Sequence, residues 1–171
     1  MFLDLVRYCL IPIEISYTHK GEIQFSESKI FVSFVTLDTS DVPMKMFSLL
    51  LDTGAFITLI RKDRADQNGY QVFQENGCII AGFSEKGLVC DLRKIHAVVF
   101  CGFRIDDVVV ATPHDDGISI TEVLGMNILE NFSFGLDFAK EEIYLNVRSE
   151  FESQKPKYRC GNVSHVQDTA L

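Results

Sequence analysis

No run in this 171-residue chain is long and apolar enough to cross a bilayer as a helix, which takes about 20 consecutive apolar residues. The most apolar candidate, residues 1–13, is interrupted by Asp4 and Arg7 and closed by Pro12, so it reads neither as a span nor as a signal peptide. No membrane partner is expected. A concentrated lysine and arginine stripe is also missing: 16 basic residues stand against 24 acidic ones, for a net charge of −8. Nucleic-acid binding draws on phosphate neutralisation and is therefore not expected. Cys-x-x-Cys is absent too. The five cysteines, Cys9, Cys78, Cys90, Cys101 and Cys160, are scattered and odd in number, which fits reduced thiols in a cytoplasmic protein.

Several catalytic arrangements are missing as well. The chain has no Gly-x-Ser-x-Gly and no Cys/His pattern of the kind that supports nucleophilic catalysis. His19, His96 and His165 are isolated. His114-Asp115-Asp116 carries metal-compatible side chains, but no second cluster at ligand spacing accompanies it, and after Pro113 it reads as a solvated loop. No metal and no cofactor is expected. There is no internal repeat, and an apolar fraction of 47% over this length supports one substantial core. One domain over residues 1–148, including an N-terminal strand extension, is the expectation. Residues 149–171 are polar, contain Pro156 and have few large aliphatics, as in a mobile extension without chemistry of its own.

What the chain does have is many short apolar runs, β-branched or aromatic, bounded by turn residues. Strands are expected over residues 10–17 and 30–37, separated by the polar segment 18–29, then over 47–52 and onward past its loop over 56–60. Further strands are expected over 95–101, 105–112 and 143–147. Short helices fit only residues 62–68 and 126–131. The fold class is therefore all-β, a closed and strongly bent β-barrel with one or two short helices.

The run Leu49-Leu50-Leu51-Asp52-Thr53-Gly54-Ala55 brings one carboxylate from the end of an apolar strand into a tight loop. Gly54 lets the backbone approach that carboxylate, Thr53 offers a hydroxyl to brace the loop, and the leucines bury the strand behind it. A second Asp-Thr/Ser-Gly is missing. Asp115-Asp116-Gly117 follows Pro113 in a polar loop and lacks both the hydroxyl residue and the apolar strand. Chemistry by a pair of carboxylates thus requires two copies of the chain, with Asp52 meeting its mate at the axis of a twofold homodimer.

The segment Ser48-Leu49-Leu50-Leu51-Asp52-Thr53-Gly54-Ala55-Phe56-Ile57-Thr58-Leu59-Ile60 resembles the active-site strand and loop of retropepsin-like aspartic proteases. A second match, Val123-Leu124-Gly125-Met126-Asn127-Ile128-Leu129-Glu130-Asn131-Phe132, resembles that family's apolar pair and glycine, followed by the helix that supports the loop. The two stand in the family's order, and the similarity covers roughly residues 31–147. It implies a single-lobe barrel and an aspartic endopeptidase acting on peptide or protein substrates. Asp52 is the implied catalytic residue, Thr53, Gly54 and Ala55 its loop support, and Val123, Leu124 and Gly125 the supporting motif. Residues 78–90 read as a hairpin with apolar arms and a polar tip. By resemblance it is the flap, with Ala81, Gly82, Phe83 and Ser84 meeting substrate, although this tip is less glycine-rich than the retroviral pattern. Cys78 and Cys90 stand on its two arms, and their pairing is left open. Two alternatives remain: a non-catalytic dimeric peptide-binding or scaffolding domain, and a protease whose substrate is tethered by a processing system.

Overall fold

The computed structural model describes residues 18–37, 43–80, 87–114 and 120–148. The elements there are β1 (His19–Ser26), β2 (Lys29–Leu37), β3 (Pro43–Leu51), α1 (Lys62–Gln67), β4 (Gln71–Ile80), β5 (Leu88–Phe100), β6 (Phe103–Pro113), β7 (Val123–Leu124), α2 (Met126–Leu129), β8 (Phe132–Asp137) and β9 (Glu142–Val147). The expected strand over residues 10–17, the hairpin tip with Ala81, Gly82, Phe83 and Ser84, and the extension over 149–171 lie outside the described residues.

Strand alternation builds the core. On β2, Val32, Phe34 and Thr36 point inward, and on β3 Phe47 and Leu49 do the same. Their rings meet edge to face, with Phe34 and Phe47 centroids 6.4 Å apart. The polar segment 18–29 is not a connector: it forms β1, turning into β2 through Glu27 and Ser28, both left-handed (φ 49° and 65°). Two left-handed residues give the twist that a two-residue hairpin needs, here without the usual Asn-Gly signal. Residues 56–60 do not form the expected strand. Only Leu59 bridges there, to Ala111 and Val123, because the segment bends across two neighbours instead of running along one.

The all-β class with two short helices holds, but the ladder is open among the described residues. Its path runs β4-β5-β2-β1-β9-β8, with β3 and β6 branching from β2 and β5. β1 is shared: His19 to Glu22 pair with β9, and Ile23 to Ser26 pair with β2. One strand thus turns a corner between two ladders, which bends the sheet without closing it. The main apolar cluster includes Phe34, Phe47, Leu49, Phe100, Leu124, Ile128 and Ile143. A smaller one joins Leu59, Leu88, Cys90, Ala111 and Val123, with Leu50, Cys78 and Ile80 packed against it. Successive residues of β3 therefore serve different clusters, Leu49 the large one and Leu50 the small one.

Buried ionic groups pin the helix and hairpin to this frame. Arg93, 4% exposed, uses its whole guanidinium: Nη2 pairs with Asp66 at 2.6 Å, Nη1 donates to the Tyr70 carbonyl at 3.0 Å, and Nε donates to Thr112 Oγ1 at 3.1 Å. On the same strand Asp91 accepts the Asn76 N–H at 2.8 Å, where β4 bulges, and faces His114 Nδ1 at 3.4 Å. Burial pushes the Asp91 carboxyl up. The Asn76 N–H, His114 and Arg93 together outweigh it and hold the group below its ordinary value. A carboxyl depressed in the folded state stabilises the fold above its unfolded pKa, and that contribution is lost as pH falls through the folded value. Asp91→Asn is therefore expected to lower the thermal midpoint at neutral pH and to shrink its fall below about pH 4. Parent and variant midpoints running parallel down to about pH 2 would show that the Asp91 charge contributes nothing.

Candidate active site

The Asp52 loop begins where β3 runs out between two partners. β3 pairs antiparallel with β2 and parallel with the two-residue β7, Leu50 opposite Val123 and Leu51 opposite Leu124. The Asp52 N–H still donates to the Leu124 carbonyl at 3.2 Å. The chain then turns, with the Ala55 N–H returning to the Asp52 carbonyl at 3.2 Å and the Gly54 N–H donating to Asp52 Oδ1 at 2.8 Å. A Cβ at residue 54 would sit 3.2 Å from that oxygen, a tight contact that a small shift of the Asp52 side chain would relieve. Asp52 is half-buried, and Thr53 beside it is exposed.

Behind this loop the Gly125 segment crosses it in near contact. Met126 and Asn127 donate their N–H groups to the Ala55 and Phe56 carbonyls at 2.8 and 3.1 Å. Asn127 Oδ1 accepts both the Thr58 N–H at 2.7 Å and the Thr58 hydroxyl at 2.9 Å, while its Nδ2 donates to the Val109 carbonyl at 2.8 Å. Thr58 Oγ1 in turn accepts the Gly125 N–H at 3.1 Å. Both side chains are thereby committed to holding the crossing. A Cβ on Gly125 would lie 2.5 Å from the Ile57 carbonyl carbon and 2.7 Å from Thr58 N. Only a glycine lets the two backbones pass this closely. Below the crossing, Glu122, 8% exposed, pairs with Arg64 Nη1 at 2.9 Å and accepts the Arg61 N–H at 3.1 Å, tying the start of β7 to α1.

In front of the loop lies a cavity of ≈ 360 Å³. Asp52, Gly54 and Ala55 line it together with Phe56 and Ile57, Cys78, Ile79 and Ile80 contribute from β4, and Leu59 and Val123 complete the wall. An apolar cavity of this size with one carboxylate in its wall suits a side chain or short peptide segment rather than a large cofactor. Phe56 is 85% exposed beside it.

Of the residues singled out from sequence, Asp52, Gly54, Ala55 and Val123 come together at this cavity, while Leu124 and Gly125 are buried behind the loop. The bracing assigned to Thr53 within one chain is carried by Thr58 and Asn127 instead. Thr53 stands exposed at the surface. The hairpin arms exist as expected, with Cys78 opposite Cys90, Ile79 opposite Val89 and Ile80 opposite Leu88. Sequence reasoning assigned no role to Thr58 and Asn127, although both fall inside the quoted motifs. Their signal was a lone polar residue between Ile57 and Leu59, and another between Met126 and Ile128. His114 faces Asp91, and Asp115 and Asp116 lie outside the described residues.

The fold as a whole resembles solved structures. A retropepsin-like aspartic protease from Rickettsia conorii superposes with a TM-score of 0.51 at 18% identity, over 77% of this chain and 96% of that one. The fold is retropepsin-like. Two lower-scoring likenesses are EIAV protease complexed with the inhibitor HBY-793 (TM-score 0.45, 18% identity, 63% of this chain and 90% of that one) and the retroviral protease-like domain of Ddi1 from Leishmania major (0.43, 14%, 70% and 94%). No family model and no curated protein matches the sequence.

The crossing makes two substitutions informative. Gly125→Ala is expected to destabilise the retropepsin-like domain by about 3 kcal/mol or more, since backbone atoms on both sides have to move. Asn127→Ala is expected to cost roughly 2–3 kcal/mol by leaving the Thr58 N–H and the Val109 carbonyl unpartnered. Denaturant unfolding measures both. A Gly125→Ala protein within about 0.5 kcal/mol of the parent would show that the crossing is loose.

Proposed function

We propose that the chain is an aspartic endopeptidase whose catalytic pair is Asp52 of one copy and Asp52 of a second copy. The observation that carries this reading is the single carboxylate fixed by the Gly54 N–H in the wall of a peptide-sized apolar cavity, on a retropepsin-like fold. Phe56, apolar and largely exposed next to that carboxylate, supports a second chain or a substrate covering this face.

Two carboxylates at one site hold a single proton between them, because placing two negative charges together is unfavourable. The ionised Asp52 takes a proton from a water molecule as its oxygen bonds to the scissile carbonyl carbon. Its mate, protonated, donates to the carbonyl oxygen, giving a tetrahedral diol. A proton then passes to the amide nitrogen, the carbon–nitrogen bond breaks, and the pair is left again with one proton. Ala55, Cys78 and Ile80 frame the space for the substrate backbone and neighbouring side chains.

Asp52→Asn is expected to cut cleavage of denatured protein or peptide-library substrates by about a thousandfold or more. Its thermal midpoint should stay near the parent's, since an amide oxygen still accepts the Gly54 N–H. In a dilution series followed by sedimentation, activity per chain should fall as monomer accumulates. With chemistry rate-limiting, the rate should fall as pH rises past the loss of the shared proton. A fully active monomer would overturn the paired site, and near-parental cleavage by Asp52→Asn would move the chemistry elsewhere. Peptide binding without cleavage by the parent protein would favour a non-catalytic peptide-binding domain.

A further inference from the structure

Cys78 and Cys90 are direct partners in the β4–β5 register. Opposed residues of an antiparallel pair have Cα atoms about 4.5–5.5 Å apart, inside the roughly 4.4–6.8 Å that a disulfide spans. Neither is in a disulfide, and the Cys90 thiol donates to the Leu88 carbonyl at 3.6 Å. They differ in access. Cys78 is half-buried and lines the same cavity as Asp52, whereas Cys90 is fully buried in the small apolar cluster.

We propose that Cys78 and Cys90 form a redox pair, oxidised to an intramolecular disulfide by low-molecular-weight disulfides that reach Cys78 through the cavity. In the first step the Cys78 thiolate attacks one sulfur of the reagent, forming a mixed disulfide and releasing one equivalent of small thiol. In the second, Cys90 loses its proton and attacks Cys78 Sγ, the mixed disulfide breaks, and the second equivalent leaves. Two protein thiols and one small disulfide become one protein disulfide and two small thiols. The order follows from the surroundings. Burial raises the Cys78 thiol above its ordinary value, and the neighbouring Cys90 thiol partly opposes that rise. Burial and then the Cys78 charge push Cys90 up to about 12, so the more accessible Cys78 ionises first. Both steps consume thiolate, and the reaction speeds up with pH through the neutral range and beyond.

The product joins the two arms of the hairpin at the wall of the Asp52 cavity and draws Cys78 Sγ toward Cys90. It closes a loop of 13 residues from 78 to 90. Cys101 is the internal control. It is reduced, packs at the β5–β6 turn against β1, and burial pushes it to about 12, with no register partner thiol among the described residues.

The test uses the full chain in glutathione buffers of graded oxidation, quenched by alkylation and mapped by mass spectrometry. The expected result is a Cys78–Cys90 linked peptide, removed by dithiothreitol and formed also when Cys9 and Cys160 are replaced by serine. Amides of residues 78–80 and 88–90 should then exchange at least about tenfold more slowly, because closing a loop of this size favours the paired arms by more than that factor. Glutathione persisting on Cys78 without the internal bond would overturn the proposal, as would oxidation confined to other cysteines or unchanged exchange in the arms. The effect on cleavage rests on the endopeptidase reading. Oxidation should lower kcat/KM severalfold in the parent, whereas a Cys78→Ser/Cys90→Ser double variant, which forms neither the mixed disulfide at residue 78 nor the internal bond, should give the same kcat/KM in oxidised and reduced buffer. Should neither redox form cleave any peptide, the linked peptide and the exchange rates still decide the redox pair by themselves.

Discussion

The site depends on two backbones crossing at a distance that no side chain at residue 125 permits. Gly125 lies against Ile57 and Thr58 so closely that a methyl group there would overlap the peptide bond. That contact brings Met126 and Asn127 within hydrogen-bond reach of Ala55 and Phe56, and it places the Thr58 hydroxyl between Gly125 and Asn127. From it follows the parallel pairing of β3 with β7, which ends β3 at Leu51 and leaves Asp52 as the first residue of the turn. A carboxylate on a free loop would sample many orientations. Here the loop is fastened from behind by groups that take no part in lining the cavity.

The division into two apolar clusters has the same origin. Phe47 and Leu49 anchor β3 in the large cluster, while Leu50 faces the small one with Leu59, Val123 and the hairpin root. The large cluster supplies most of the buried apolar area and hence most of the hydrophobic stabilisation. The small cluster joins the loop, the crossing and the hairpin into one packed unit. Displacing β4 therefore disturbs the wall that faces Asp52, even though β4 is an edge strand with no partner but β5 among the described residues. Asp91 and Arg93 reinforce this from the polar side, holding the β4 bulge, α1 and β6 to a single strand.

Sequence carried the local part of this arrangement and missed the part that depends on approach in space. Strand alternation in β2, the end of β3 at Asp52 and the helix after Gly125 are short-range patterns and were legible. The polar β1 was hidden because its inward positions are nearly all lost to the edge: only Ile23 is buried, and Glu27-Ser28 is not a turn pair that sequence flags. Residues 56–60 read as a strand because Ile57, Leu59 and Ile60 are apolar. Tertiary contact divided them between two neighbours. Thr58 and Asn127 were overlooked for a related reason, since their value lies in meeting each other 69 positions apart. That the ladder stays open among the described residues also escaped, because a strand that changes partner midway leaves no mark in its periodicity.

The distribution of satisfied polar groups around Asp52 is uneven in a way that bears on chemistry. Oδ1 is held by the Gly54 N–H, whereas Oδ2 has no hydrogen-bond partner among the described residues. No cation of an ion pair reaches this carboxylate there, although Glu122 and Asp66 on neighbouring segments are paired with arginines. A structural acid would be expected to look like Glu122, buried and neutralised. Asp52 is half-buried, oriented by one backbone donor and open to an apolar cavity. That contrast, in a loop fastened from behind by Met126, Asn127 and Thr58, separates an acid in the wall of a cavity from acids committed to ion pairs.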